Sequence, residues 1–288
     1  MWIALGIVYV VWGSTYLGIR IAVETMPALL MGSARFLLAG GLLYGVLRWR
    51  RGAAAMRVTR RELAWCCLVG SLLVAGGNGL VNLAERHIPS GIAALIVSSV
   101  PLWVVVMRRV TRERVPAVTL ASVGVGFAGV GLLLLPGGGH GGRAIGYVLV
   151  LCAAFSWALG SFLSRGAPLP RDALLSTSLQ MLAGGVLSGI LGVVTGELGA
   201  LHPAHFSARS LGAFVYLVFI GSIVAYTAYV WLLQNAPISK AATYAYVNPV
   251  IAIFLGWAVL SEKVTALTLA GAAIVVCSVA ITVRRESR

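Results

Sequence analysis

Residues 89–108 read PSGIAALIVSSVPLWVVVMR, eighteen uncharged positions between Pro89 and Arg108. A helix needs about 20 mostly apolar residues to cross the hydrocarbon core of a bilayer, whereas a membrane-spanning strand needs only about 10 alternating ones. This stretch has the length and the continuous apolar character of a helix. The same reading carried outward predicts ten spans, at 2–22, 27–48, 63–84, 89–108, 116–136, 144–164, 173–195, 211–234, 237–260 and 265–283. The expected fold class is therefore an all-α polytopic membrane protein. Composition agrees: 59% of the 288 residues are hydrophobic and 10% charged, with a mean hydropathy of +0.95. A soluble domain carries about 25% charged residues, so an ordinary soluble enzyme and a disordered chain are both excluded. Residues 1–20 lack the basic start of a cleavable signal peptide, and none is expected.

The formal net charge of +14 would suggest nucleic acid in a soluble protein. Here the basic residues lie in short loops between the spans, where they act as topology determinants. Sixteen fall on one side, including Arg48, Arg50, Arg51, Arg57, Arg60, Arg61, Arg108, Arg109, Lys240 and the tail's Arg288. Five fall on the other: Arg20, Arg86, Arg143, Arg209 and Lys263. This asymmetry predicts cytoplasmic termini and no nucleic-acid partner. Cys66, Cys67, Cys152 and Cys277 sit in apolar stretches without metal-ligand spacing, so neither metal nor cofactor is expected.

The two halves repeat each other. Trp12 and Arg20 recur as Trp157 and Arg165 at an offset of 145, and Ala39-Gly40-Gly41 with Gly45 recur as Ala183-Gly184-Gly185 with Gly189 at 144. Pro89, Ala93, Ala94 and Pro101 match Pro237, Ala241, Ala242 and Pro249 at 148, and Glu113 and Val115 match Glu262 and Val264 at 149. Five spans per copy is an odd number, so the second copy enters the membrane from the opposite side. That is the inverted-topology repeat of many secondary transporters. The expected units are 1–136, a Gly-rich connector at 137–143 containing His140, and 144–288 with a short basic cytoplasmic tail.

Pro101 and Pro249 fall near the middle of spans 4 and 9. A proline removes a backbone hydrogen bond and crowds the carbonyl four residues back, here Val97 and Ala245. Matching interrupted helices in two inverted halves are the best sequence pointer to a midplane binding site, against the plainer reading that the prolines only bend helices. Around them stand Ser98, Ser99 and Trp103 in one half and Tyr244, Tyr246 and Asn248 in the other. Asn78, Asn82 and Glu85 share a polar stripe on span 3 with Ser71 and Ala75, while Trp12, Trp157, Ser161 and Tyr226 sit on spans 1, 6 and 8. Polar groups on membrane helices face protein or water. The alternative, interhelical hydrogen bonding, is worth about 0.6 kcal/mol per contact. The expected cavity is aromatic, neutral and hydrogen-bonding, suited to a small amphipathic solute. Trp2 and Tyr9, near a span end, are expected as interfacial anchors.

Arg35 is the only ionisable residue well inside a span, about 12 Å along its helix from Pro27. It is expected in a gating or strut role with Glu85, Pro101 and Pro249, pairing with Glu24 or Glu85, with contact to a substrate carboxylate as the second reading. The Asp and Glu residues all lie at or near span ends, so uncoupled transport is at least as well supported as proton coupling. Gly124-x-Gly126-x-x-Gly129 fits a dinucleotide fingerprint as a pattern but lies inside an apolar span. With Gly131 it reads as a stripe for close helix packing.

Trp12-Gly13-Ser14-Thr15-Tyr16, Ala34-Arg35-Phe36, Pro101 and the stretch from Asn248-Pro249 to Glu262 resemble the EamA family of the drug/metabolite transporter superfamily, over essentially the whole chain as two units. The resemblance implies an inner-membrane carrier, commonly an exporter of amino acids, other metabolites or toxic cations. It also implies a cavity bounded by spans 1, 3, 4, 6, 8 and 9, with 5 and 10 outside. The leading expectation is export of aromatic and other neutral amino acids, with a small-molecule substrate and the lipid bilayer as partners, by a monomer or weak homodimer. The alternatives are efflux of drugs or hydrophobic cations through cation–π contact and, from another class, a membrane-embedded lipid-modifying enzyme using Glu85, His87 and Ser90.

Overall fold

The structure is a computed structural model that describes residues 1–134, 143–236, 241 and 243–286. The expected Gly-rich connector with His140, the repeat positions Pro237 and Ala242, and Lys240 and Arg288 lie outside the described residues. Among the described residues all regular structure is helical. The first half comprises α1 (Trp2–Ala22), α2 (Ala28–Arg51), α3 (Arg60–Ala84), α4 (Ser90–Val110) and α5 (Ala117–Leu134). The second comprises α6 (Ala144–Ser164), α7 (Ala173–Val194), α8 (Ala208–Asn235), α9 (Tyr244–Leu260) and α10 (Ala266–Glu286). Seven of these, α1–α4 and α6–α8, are long and apolar enough to cross a membrane by length and composition; α5, α9 and α10 carry shorter apolar stretches.

Helix ends are set by side chains that satisfy orphan backbone groups. Thr59 and Glu62 form a reciprocal capping box at the start of α3. Asp172 accepts from Leu174 and Leu175 at the start of α7, and Glu197 accepts from Leu29 and Leu30 at the start of α2. Glu262 accepts from the backbone of Ser90 and Gly91 at the start of α4. Acidic groups at helix N-termini also complement the macrodipole. Glu197 and Glu262 thereby tie distant elements to helix starts, while Glu62 and Asp172 cap their own helices.

Two helices change pitch internally. Ser71–Gly79 in α3 and Leu217–Val224 in α8 wind with wider, π-helical turns. This breaks the regular spacing assumed for the Ser71–Glu85 stripe. In α4 the backbone leaves the helix at Ser98–Ser99 and restarts at Val100. Pro101 thus sits in a first turn, where its missing N–H costs no hydrogen bond. Pro249 lies inside α9, which runs on through it. At the two prolines the interruptions therefore do not match: among the described residues the backbone breaks beside Pro101, while the helix runs on through Pro249.

The packing is reciprocal between halves. α2 lies on α7, α5 on α10 and α4 on α9; α1 packs on α8 and α9, and α6 on α3 and α4. A Cβ on Gly184 would stand 2.4 Å from Val74 Cβ, so glycine there lets α7 approach α3 backbone to backbone. In α5 only Gly126 and Gly129 face the partner helices, while Gly124 and Gly131 face open space, so half of the expected stripe packs. Arg112 (φ 63°) and Ser261 (φ 54°) are the non-glycine residues with left-handed backbone among those described. They precede Glu113 and Glu262 and share their offset. Exposed apolar side chains such as Leu38, Val125, Val186, Ile190, Phe254 and Trp257 line the outside, while Thr15, Ser33, Arg35, Asn82 and Ser222 are buried. An apolar exterior around a partly polar interior is what hydrocarbon as solvent requires.

Candidate functional site

Helical spacing brings Trp12, Thr15, Tyr16 and Ile19 to one face of α1. Opposite them are Gly77, Asn78 and Val81 of α3, Ala153 and Trp157 of α6, Val97 of α4, Tyr244 of α9 and Arg35 of α2. Together they line a small cavity with about 500 Å³ of empty space, open solvent included. Its centre is aromatic. The Trp12 ring stands 5.2 Å from Trp157 and 5.3 Å from Tyr244, both edge-to-face, and 4.7 Å from Tyr229. Such pairs add about 0.5–1.5 kcal/mol each beyond burial. Trp12 Nε1 donates to the Gly221 carbonyl at 3.4 Å and Trp157 Nε1 to Tyr229 Oη at 3.2 Å, which fixes both indoles. Gly77 makes room for this arrangement, since a Cβ there would stand 2.5 Å from Trp157 Cε3.

Arg35 closes one part of the wall. It is 2% exposed, its Nε donates to Ser222 Oγ at 2.7 Å, and its guanidinium carbon lies 4.6 Å from the Phe36 ring centroid. Its Nη1 has no hydrogen-bond partner. The expected pairing with Glu24 or Glu85 does not form among the described residues. Glu85, after α3, is fully buried with both carboxylate oxygens unpartnered. Arg20 reaches its backbone carbonyl instead. Burial, and next the Glu262 carboxylate, push the Glu85 carboxyl well above the ordinary range, against the pull of Arg20 and Arg35.

Of the expected site residues, Trp12, Asn78, Trp157 and Tyr244 line the cavity, and so does Arg35, which was expected to gate. The others lie elsewhere. Ser98 and Ser99 turn back to the carbonyls of Leu95 and Ile96 and stabilise the break in α4. Trp103 packs against Phe127 and Phe155. Asn82 is buried and donates to the Ala28 carbonyl, tying α3 to α2. Ser161 bonds Tyr229 behind Trp157, and Tyr226 donates to Gln180. Tyr246 is half-buried against the core. Asn248, with its amide oriented to satisfy both ends, donates to the carbonyls of Tyr9 and Tyr244. Tyr9 also bonds Thr243, which ties α1 to the residue before α9. The small and apolar lining residues Thr15, Gly77, Val81, Val97 and Ala153 carry no chemical mark in sequence; the face shared with Trp12 was the available signal. Helix α2 takes the place expected for α8, whose Ser222 and Tyr229 stand one layer back. Ser90 bonds Glu262, and among the described residues no hydrogen bond joins it to Glu85 or His87.

A solved protein crystal structure covering 99% of this chain and 98% of its own superposes with a TM-score of 0.67 at 19% identity, which shows a shared fold. An inner membrane transporter of Escherichia coli strain K12, YedA, itself uncharacterized, is 38% identical over 88% of this chain and 80% of its own length. A Salmonella typhimurium protein named "Probable amino-acid metabolite efflux pump" is 27% identical over 96% of this chain and 92% of its own. The EamA-like transporter family matches residues 1–135 and again 144–284. The chain is a multi-pass membrane transporter and belongs to the EamA-like transporter family.

Proposed function

We propose that the protein exports small amphipathic metabolites, amino acids foremost, from the cytoplasm across the inner membrane by alternating access around the central cavity. The single observation that carries this reading is the aromatic cavity walled by helices from both halves, with Trp12 and Trp157 at equivalent positions of the repeat meeting at its centre. All ten helices cross the membrane, α5, α9 and α10 included, as two inverted five-helix units with cytoplasmic termini. The reciprocal packing of the halves, the paired π-helical segments and the left-handed residues at Arg112 and Ser261 support that symmetry. The relative named as an amino-acid metabolite efflux pump supports the substrate class.

Efflux of hydrophobic cations is the second reading, favoured by the ring faces of Trp12, Trp157 and Tyr244. Flux of radiolabelled phenylalanine, tryptophan, methionine, threonine, lysine and one quaternary ammonium dye into proteoliposomes, with and without a pH gradient, tests both. Equilibration of amino acids indifferent to the gradient is expected. Gradient-driven accumulation would make the buried Glu85 a proton site, selective movement of the dye would favour the second reading, and no flux would refute transport by this chain alone.

A further inference from the structure

A guanidinium buried in a membrane protein is stable only when paired or fully hydrogen-bonded. Arg35 meets neither condition. Its Nε is used by Ser222, its Nη1 is unpartnered although the residue is 2% exposed, and it enters no ion pair with a described residue. Among the described residues it is also the only charged one lining the central cavity, and no carboxylate lines it. The neighbouring wall is apolar and aromatic: Trp12, Tyr16, Ile19, Trp157 and Tyr244. The cavity thus carries one positive group that makes no ion pair with a described residue, with the buried Glu85 in electrostatic range but not in contact, beside an apolar box.

A second observation agrees. Beyond the layer formed by Trp157, Tyr226 and Gln180 lies another cavity of about 850 Å³ of empty space, open solvent included, lined by Arg165 and Arg171 and, among the described residues, by no acidic one. Both arginines belong to the side the charge asymmetry assigns to the cytoplasm. A basic vestibule concentrates anions and repels cations.

We infer that Arg35 is the substrate-binding residue that takes a carboxylate, so that the ligand class is organic carboxylates with an apolar or aromatic body and the ammonium group of an amino acid is dispensable. This rests on the reading of the central cavity as the transport site. The carboxylate completes the hydrogen bonding of Nη1 and neutralises the guanidinium, while the body lies against the rings of Trp12, Trp157 and Tyr244. A planar guanidinium held by Ser222 and stacked on Phe36 is oriented in advance, which favours a carboxylate over a compact anion such as chloride. The same arrangement disfavours lysine and quaternary ammonium solutes, for which the wall offers no counter-charge.

The test uses the full-length protein in liposomes and three solutes with one shared ring: phenylalanine, 3-phenylpropanoate and phenylalaninamide. Binding is measured by calorimetry and transport by counterflow. The expected result is that both carboxylates bind and exchange, with the amide at least tenfold weaker. Arg35→Gln weakens the two carboxylates tenfold or more and does not weaken the amide, and Arg35→Lys recovers part of the loss. The comparison within the wild-type protein needs no variant, so misfolding of Arg35→Gln cannot hide the answer. Amide binding equal to acid binding, or equal loss of all three solutes in Arg35→Gln, overturns the assignment and leaves the transport reading standing. Absence of binding and flux for all three overturns both.

Discussion

Glu262 holds the end of α9 against the start of α4. It accepts from Ser90 N and Ser90 Oγ at 2.9 Å each and from Gly91 N at 3.3 Å. Ser261 in left-handed backbone turns it inward, and Glu262 N itself returns to the Gly256 carbonyl at 3.1 Å. Its counterpart Glu113 bonds Arg108 at 2.6 Å, next to its own helix. The two matched glutamates thus bond differently, one within its own half and the other across to α4 of the first half. Truncation by Glu262→Ala removes three hydrogen bonds. Each is worth about 1.5–3 kcal/mol for a charged, buried acceptor, but Glu262 is half-buried and solvent compensates, so the realistic loss is that of a helix cap, about 1–2 kcal/mol. Applied to a two-state equilibrium, that is a shift of roughly 5–30-fold toward the state in which α4 and α9 part. Spin labels at the exposed positions Arg86 and Lys263, in a background lacking the four cysteines, report the separation of the two loops. The variant is expected to move the distance distribution to longer values, with Glu262→Gln intermediate. A folded variant with an unchanged distribution would refute the reasoning.

Because burial and the Glu262 carboxylate raise the Glu85 carboxyl above its unfolded value, its ionisation opposes folding. Stability is greatest below the unfolded carboxylate range, about pH 4.3, and falls as pH rises toward the raised folded value. Glu85→Gln is expected to flatten this part of a thermal melt series; a slope identical to wild type would contradict it. Gly77→Ala drives a Cβ to 2.5 Å from the Trp157 ring, and is expected to cost about 1–3 kcal/mol by overpacking and to reduce flux, read by thermal shift and counterflow together. Trp103→Ala should lower stability by about 3–5 kcal/mol with substrate affinity retained, since Trp103 packs on Phe127 and Phe155 away from the cavity. Trp157→Ala should weaken affinity, and equal affinities in the two variants would place the site elsewhere.

The helical spans were legible because lipid imposes a length and a composition on any segment that crosses it, and 90–107 or 144–164 meet both without reference to neighbours. A repeat was legible too, as a nearly constant offset between tryptophans, glycines and prolines, and the family model matches each half once. The cavity was legible only in part. Trp12, Asn78, Trp157 and Tyr244 were found because aromatic and amide groups stand out in apolar helices. Ser98, Ser99, Asn82 and Asn248 stood out equally, yet they satisfy backbone carbonyls, and a sequence does not show which partner a donor meets. Which face of a helix looks inward depends on pitch, and the π-helical turns at 71–79 and 217–224 rotate the faces beyond them. Arg35 makes the distinction sharpest. Its charge inside an apolar span marks it in one dimension, but only the packed helices keep Glu24 and Glu85 from pairing with it and place it in the cavity wall. Sequence alone thus determined the solvent, the helices and the repeat, because these follow from local composition and periodicity; tertiary packing decided the site, because unpaired groups are defined by what surrounds them.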